Sequence, residues 1–410
     1  MNAEPGFLLI SNGYGEDLVA AHIALKLRER LPRACVAGFP TVGTGAFYKN
    51  MGVDLAGAGA TLPSEGFVRS ISDFTKDVKH GFFPETFRLG RRLRQAAGAF
   101  DYLVPVGDAY ILLFTSLFTP HSAARKIFVN VQTSEWYGSH KPFKQHYSFI
   151  ERLWTRRCSR LVYVRDRRTM DFLHRRGIAQ ARCCGNPMMD CFTVHERAVL
   201  PRDRSIVGVL PGSKQEAYDN LKVVFDIVRL MAKRKQIHNY AIALSPQLSV
   251  DKIACAYSLQ PAITGTDTGL PAGDRRLYTR FSMKDNPSEI FISQKIFGDI
   301  LNESIAFIGT SGTGNEQAAG MGKPVFGFWG RGPQITEKFM RAQKRLLGPS
   351  LILSPPDPEL IANCMTELLS DKERLEEIAL NGRERMAGRG SIACMVDEMI
   401  RYVKHTLNDE

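Results

Sequence analysis

Two short runs of this chain carry the residue types that grip a phosphate. The first spans 310–332, TSGTGNEQAAGMGKPVFGFWGRG. It reads as a Gly/Ser/Thr loop, a short helix over about 314–321 and an apolar strand over 324–328, with an apolar run, 305–308, ahead of the loop. Backbone N–H groups at a helix start form a ready anion site, and small residues let a phosphate approach closely. Ser311, Gly312 and Thr313 supply that loop, and Glu316, one short turn into the helix, is placed to accept hydrogen bonds from ribose hydroxyls. The second run, Leu210-Pro211-Gly212-Ser213-Lys214, ends another apolar stretch; Ser213 offers a hydroxyl and Lys214 a point charge suited to phosphate oxygens. Either loop alone reads equally as a turn or a helix cap. Together with an acidic residue they point to a nucleotide diphosphate.

The elements that must position these loops follow from hydrophobic periodicity. Strands are expected at 7–11, 35–39, 102–106, 127–132 and 161–164, interleaved with helices at 17–30, 83–97 and 147–157. A second series has strands at 206–210, 240–244, 305–308 and 324–328 and helices at 220–234, 358–370, 372–385 and 391–407. Alternation of this kind predicts βαβ units and mostly parallel sheets. The chain of 410 residues is too long for one typical core, and the charged stretch 194–204, with Pro201, reads as a linker. The expected domains are therefore 1–195 and 202–390. Ligands in open α/β sheets bind beyond the carboxyl ends of the strands. The PGSK run, Gly13-Tyr14-Gly15 and Gly107-Asp108 all obey that rule.

Composition bounds the class. Hydrophobic content of 44% and charged content of 23% are ordinary for a globular protein. Residues 1–5 are polar and the first apolar run is short, so no signal peptide is expected; the longest apolar run, 110–118, falls well below the roughly 20 residues a bilayer requires. Net charge is +12, and 140–182 holds twelve Lys/Arg against three Asp/Glu. Such a region suits anionic partners or is a solvated helix face, as at 147–157. No aromatic interleaving of a nucleic-acid motif accompanies it, and nucleic acid is not an expected partner. The segment 63–94 combines Phe67, Phe74, Phe82, Phe83 and Phe87 with seven Lys/Arg, which reads as an anionic-membrane face or as core with a charged rim. The eight cysteines show no zinc spacing; Cys183 and Cys184 read as buried strand residues, and no structural disulfide is expected.

The order PGSK, then SGTGNEQAAGMGKP, resembles the C-terminal half of lipid-A-disaccharide synthase, whose loops run PGSR and SGTxxLEAxxxxxP. Gly185-Asn186-Pro187-Met188-Met189-Asp190 is similar to that family's G-[HN]-P-x-x-D segment, and Ser11-Asn12-Gly13-Tyr14-Gly15-Glu16-Asp17 occupies the place of its GExSGD loop. The NGxGED opening and the TGNEQA loop resemble more closely a divergent, lipid-A-disaccharide-synthase-related subgroup. The resemblance implies a GT-B fold, two doubly wound Rossmann-like α/β domains facing across a cleft, with the last helix crossing back to the first domain. It also implies an inverting, metal-independent glycosyltransferase using a UDP-sugar and no cofactor. The acceptor would be a lipid, met from the cytoplasmic side at the surface of the membrane. The segment 131–140, VQTSEWYGSH, replaces that family's PSVWAW-like run, and the first loop also departs.

Glycosyl transfer needs a base for the acceptor hydroxyl, positive charge for the leaving diphosphate, and groups that orient the sugar. Asp108, in VPVGDAY where the resembled synthase carries an Asp, is the first candidate base and equally a helix cap. Glu16 and Asp17 are rivals, Asp17 also serving as a helix start; Gly13 and Gly15 shape the acceptor-side loop, and His22 reads as a helix-face residue. Lys214, Ser213 and the backbone of 311–313 would hold the leaving group, with Lys214 standing where the family has Arg. Gln317 and Gln334 are candidates for sugar hydroxyls, placed by their proximity to Glu316 and to the turn 330–332, and read equally as exposed polar residues. No Asp-x-Asp pair is placed to hold a metal on a diphosphate. The alternatives are a UDP-sugar epimerase on the same fold, or a non-catalytic membrane-surface protein. Gly13-Tyr14-Gly15 lacks the third glycine of the nicotinamide dinucleotide fingerprint at Leu18.

Overall fold

The computed structural model describes residues 4–57, 59, 82–120, 125–138, 147–262, 277–330 and 335–408, without the side chains of 82, 83, 407 and 408. Gln334 and the aromatic residues Phe67 and Phe74 lie outside the described residues, as do the side chains of Phe82 and Phe83. The chain forms two α/β units, residues 1–191 with 389–410, and 192–388.

In the first unit, six parallel strands take the order β2-β1-β3-β4-β5-β6. They are β1 (Phe7–Ser11), β2 (Val36–Pro40), β3 (Tyr102–Gly107), β4 (Arg125–Asn130), β5 (Leu161–Val164) and β6 (Ala181–Arg182). Runs such as FLLIS are buried along their whole length, which is why they show no polar alternation. The helices are α1 (Tyr14–Arg30), α2 (Ala46–Asn50), α3 (Phe82–Ala97), α4 (Ala109–Phe118), α5 (Phe149–Cys158) and α6 (Arg167–Arg175). The start of α5 is fixed by a capping box in which Ser148 and Glu151 satisfy each other's backbone N–H.

The second unit holds an eight-stranded sheet of order β14-β13-β12-β7-β8-β11-β10-β9. Its elements in chain order begin β7 (Ile206–Leu210), α7 (Glu216–Lys233), β8 (Asn239–Ala243), α8 (Val250–Ala256), β9 (Gln260–Pro261), β10 (Thr279–Met283), β11 (Asn286–Ser293), α9 (Phe297–Glu303) and β12 (Ala306–Gly309). They continue with α10 (Thr313–Gly320), β13 (Val325–Phe328), α11 (Glu337–Leu347), β14 (Leu351–Ser354), α12 (Pro358–Ser370) and α13 (Lys372–Met386). The sheet is parallel from β14 to β11 and closes with antiparallel β10 and β9, a hairpin edge absent from the sequence expectation.

The stretch read as a linker is held by the second unit. His195 N–H and Nδ1 meet the Asp299 carboxylate at 2.8 and 2.9 Å, and the N–H groups of Val199 and Leu200 donate to Glu303. The last helix, α14 (Ser391–Asn408), belongs to the first unit, where Met395, Val396, Met399 and Val403 enter the core with α1. Its start is capped from 200 residues away: Asp190 accepts from Gly390 N–H at 2.6 Å and Ile392 N–H at 2.7 Å. Asp190→Ala is expected to cost about 1–2 kcal/mol in urea unfolding and to speed amide exchange at the start of α14. Unchanged exchange there would remove the cap from the account.

The expectation of no structural disulfide is corrected. Cys184 and Cys394 pair across a Cα–Cα distance of 5.7 Å, and Cys183 and Cys184 follow β6 instead of lying in it. The two cysteines are 210 residues apart in sequence, and only the return of α14 brings them together. Among the described residues no helix is long and apolar enough to cross a membrane.

Candidate functional site

Loops beyond the carboxyl ends of β7 and β12 are neighbours because those strands pair directly. Thr310 N–H donates to Leu210 O at 2.9 Å, and its hydroxyl donates to Pro211 O at 3.0 Å. Gly212 has φ +95°, a left-handed conformation that favours glycine. It turns the chain into α7, leaving Ser213 and Lys214 exposed. Neither α7 nor α10 has a side-chain cap at its N-cap residue, Gln215 or Gly312.

The second loop is braced from behind. Gln343 on α11, buried, donates to Ser311 O at 3.2 Å and Gly312 O at 2.8 Å. In a trans peptide the next N–H points opposite to the carbonyl, so this clamp turns the N–H groups of Gly312 and Thr313 away from Gln343. Ser311 Oγ accepts from Gly314 N–H at 3.2 Å, and buried Asn315 bridges Gly309 O and Gln343 Oε1. The result is a hydrogen-bonded loop at a helix start, the kind of position that favours an anion. Glu316 on α10 is half-buried, whereas Gln317 is buried. Asn220 ties the edge together by donating to Thr310 Oγ1 at 3.4 Å, and a Cβ at Gly330 would strike it. Beside these residues lies a cavity of about 730 Å³ with Tyr218, Tyr257, Phe328 and Trp329 in its wall.

The first unit gathers three carboxylates at the ends of β1 and β3. Asp108 caps α4 through one oxygen: Oδ1 accepts from Tyr110 N–H, Ile111 N–H and, at 3.2 Å, Asn12 Nδ2. Its Oδ2 has no partner among the described residues, so the cap and base readings are compatible, one oxygen for each. Gly107, at φ +152°, must be glycine, because a Cβ would meet the Asn12 side chain. Glu16 is buried and receives Gln132 Nε2 from the end of β4. Asp17, 2% exposed, accepts from Ser11 Oγ at 2.6 Å, and Ser11 in turn contacts Tyr48 OH at 2.6 Å. Gly13 is buried at the start of α1, and Gly15 lies near Met188. His22, partly buried, has a lowered pKa through loss of solvent.

Burial raises all three carboxyl pKa values, and the proximity of Asp108 raises Glu16 further. Asp17 is pushed up to about 7, with the Ser11 hydrogen bond opposing the shift. A carboxyl near neutrality is suited to proton transfer. The folded chain thus holds a proton that the unfolded chain releases near pH 3.9, so stability falls as pH rises from about 4 to about 7 and is level above. Asp17→Asn is expected to gain about 2–4 kcal/mol over the wild type at pH 8 and almost nothing at pH 4. Urea midpoints differing by the same amount at both pH values would rule this out.

The expected Ser213, Lys214, Ser311, Gly312, Thr313 and Glu316 follow the carboxyl ends of the paired strands β7 and β12, and Asp108, Glu16 and Asp17 follow those of β3 and β1. Gln343, Asn220 and Gln132 were not anticipated. Gln132 could have been found, since it follows a strand's carboxyl end; Gln343 could not, being distant in sequence. Among the described residues, the group offering three metal-type ligand atoms is Cys184, Cys394 and Glu398, whose sulfurs are joined to each other.

No protein-family model and no curated protein sequence matches the chain. Solved structures do. One titled as a putative UDP-N-acetylglucosamine 2-epimerase from Listeria monocytogenes aligns with TM-score 0.60 at 15% identity, covering 100% of this chain and 98% of that one. CalG4, the calicheamicin glycosyltransferase, aligns with TM-score 0.63 at 13% identity, covering 98% and 99%. The UDP-GlcNAc 2-epimerase from Neisseria meningitidis, bound to UDP-GlcNAc, aligns with TM-score 0.59 at 14% identity, covering 97% and 100%. These likenesses show the fold, two Rossmann-like α/β units of the GT-B kind.

Proposed function

We propose that the chain is a glycosyltransferase that moves a hexose or N-acetylhexosamine from a UDP-sugar to a lipid acceptor at a membrane surface, as in lipid-A-disaccharide-synthase-related proteins. One observation carries the donor assignment: the helix starts of α7 and α10 follow adjacent strands, neither capped by the side chain of its own N-cap residue, with Lys214 exposed at one and the backbone of Ser311 and Gly312 braced by Gln343 at the other. The pyrophosphate sits on those groups, and Glu316 takes the ribose hydroxyls. The aromatic cavity beside Asn220 suits a planar base. The likeness to enzymes whose names contain UDP-sugars supports this reading.

In the reaction the acceptor oxygen attacks the anomeric carbon, the bond to the diphosphate oxygen breaks, and UDP leaves with the electron pair. Inversion follows from a single displacement. The acceptor proton passes to Asp108 Oδ2, or to Glu16 or Asp17 within the same acidic group. Lys214 and the helix starts neutralise the leaving charge, so the step is proposed to need no metal.

A second reading, UDP-sugar epimerisation, is favoured by the epimerases among the similar structures. Mass spectrometry of membrane lipids incubated with the protein and a panel of UDP-sugars tests both. A new glycolipid supports transfer; sugar conversion without any acceptor overturns it in favour of epimerisation.

A further inference from the structure

Helix α5 is built the wrong way round for a helix on a globular surface. Its buried residue is Thr155, while Phe149 is 70% and Ile150 55% exposed, and Leu153 and Trp154 are also exposed. The neighbouring α4, packed on α5, exposes Leu117 at 63%. From α3, Phe87, 60% exposed, sets its ring edge-on to Phe118 of α4 at 5.8 Å, and Phe118 meets Phe114 at 5.0 Å. Three helices, the middle one (α4) in contact with both others, therefore each leave large apolar residues exposed to solvent. Their border is cationic: Arg91, Arg92 and Arg94 of α3 and Arg156 and Arg157 of α5 are exposed and have no acidic partner among the described residues. The acidic residues nearest in sequence are engaged, Glu85 with Arg88 and Glu151 in the capping box.

We propose that this α3–α4–α5 face docks on an anionic phospholipid bilayer, with Phe149, Ile150, Trp154 and Leu117 entering the headgroup–acyl boundary and the arginines on the phosphates. Charge complementarity selects the occupant. An apolar centre with a basic border matches an anionic lipid surface, whereas a second copy of this chain would set arginine border against arginine border. The inference deepens the lipid-acceptor reading above and rests on it for its purpose, not for its geometry.

The test is co-sedimentation of the full chain with phosphatidylcholine vesicles, with and without phosphatidylglycerol. Wild type is expected to bind the anionic vesicles and lose them at high salt. Arg91→Gln/Arg92→Gln/Arg94→Gln is expected to weaken binding about 100-fold, at about fivefold per arginine. Phe149→Ser/Ile150→Ser/Trp154→Ser is expected to abolish it with melting unchanged; should that variant fail to fold, Leu117→Ser alone must weaken binding. A wild type that does not sediment, variants that bind like it, or binding indifferent to lipid charge would each overturn the proposal. A dimer broken by the apolar variant, without vesicle binding, would overturn it in favour of a second copy. UDP protection against unfolding is read in parallel, so failure of the membrane face is distinguishable from failure of the donor site.

Discussion

Replacing Asp108 by asparagine is expected to lower turnover by a factor of about 10²–10⁴, the usual contribution of a general base. The substitution separates the residue's two tasks. Asparagine keeps an Oδ1 able to cap α4 through Tyr110 and Ile111 N–H, while the second oxygen, which has no partner among the described residues, becomes an amide that accepts no proton. Folding should therefore be near normal, and protection by UDP should be unchanged, because the donor loops belong to the second unit. Asp108→Ala should add a stability loss of about 1 kcal/mol through the cap. Burial raises the Asp108 carboxyl, so the acidic limb of kcat/KM should lie above the ordinary carboxylate range and activity should rise with pH through it. Wild-type turnover by Asp108→Asn would transfer the role to Glu16 or Asp17.

Loss of the Glu316 carboxylate should be felt in binding, not in chemistry. Two hydrogen bonds to a charged acceptor, at about 1.5–3 kcal/mol each, predict UDP binding weakened about 100-fold or more in Glu316→Ala. At a UDP concentration 100 times the wild-type Kd, protection should drop from about 2.7 to about 0.4 kcal/mol. Lys214→Ala supplies the contrast: it should weaken UDP while leaving uridine nearly unaffected, since its charge addresses only the phosphates. Thermal unfolding with uridine, UDP and a UDP-sugar reads all of this. Full protection in Glu316→Ala would end the ribose assignment, and no protection by any of the three in the wild type would end the donor site.

Much of this was legible in the chain because parallel strands buried on both faces leave continuous apolar runs. Residues 7–11 and 206–210 were bounded to the residue on that basis. The placing of Lys214 and Asp108 beyond strand ends followed from a topological rule that needs only strand direction, and that of Glu316 from its place one turn into the helix after the loop. Less legible were elements whose pattern conflicts with their environment. Helix α5 has four large apolar residues outside and a threonine inside, an exposed apolar surface that neither the anionic-partner nor the solvated-face reading of 147–157 included. The β10–β11 hairpin was missed because its strands, TRFSM and NPSEIFIS, mix polar residues into a short run.

The sequence by itself determined the kinds of element, their order, and the small and charged residues at strand ends, because these depend on neighbours a few positions apart. Tertiary structure alone decided which distant groups complete them: Gln343 behind the 311–313 loop, Asp190 on the start of α14, Cys394 beside Cys184, and Tyr48 beside Ser11. A hydrogen-bond partner or a burial-raised pKa is a property of proximity in space, and the folding of strands into sheets sets that proximity irrespective of separation along the chain.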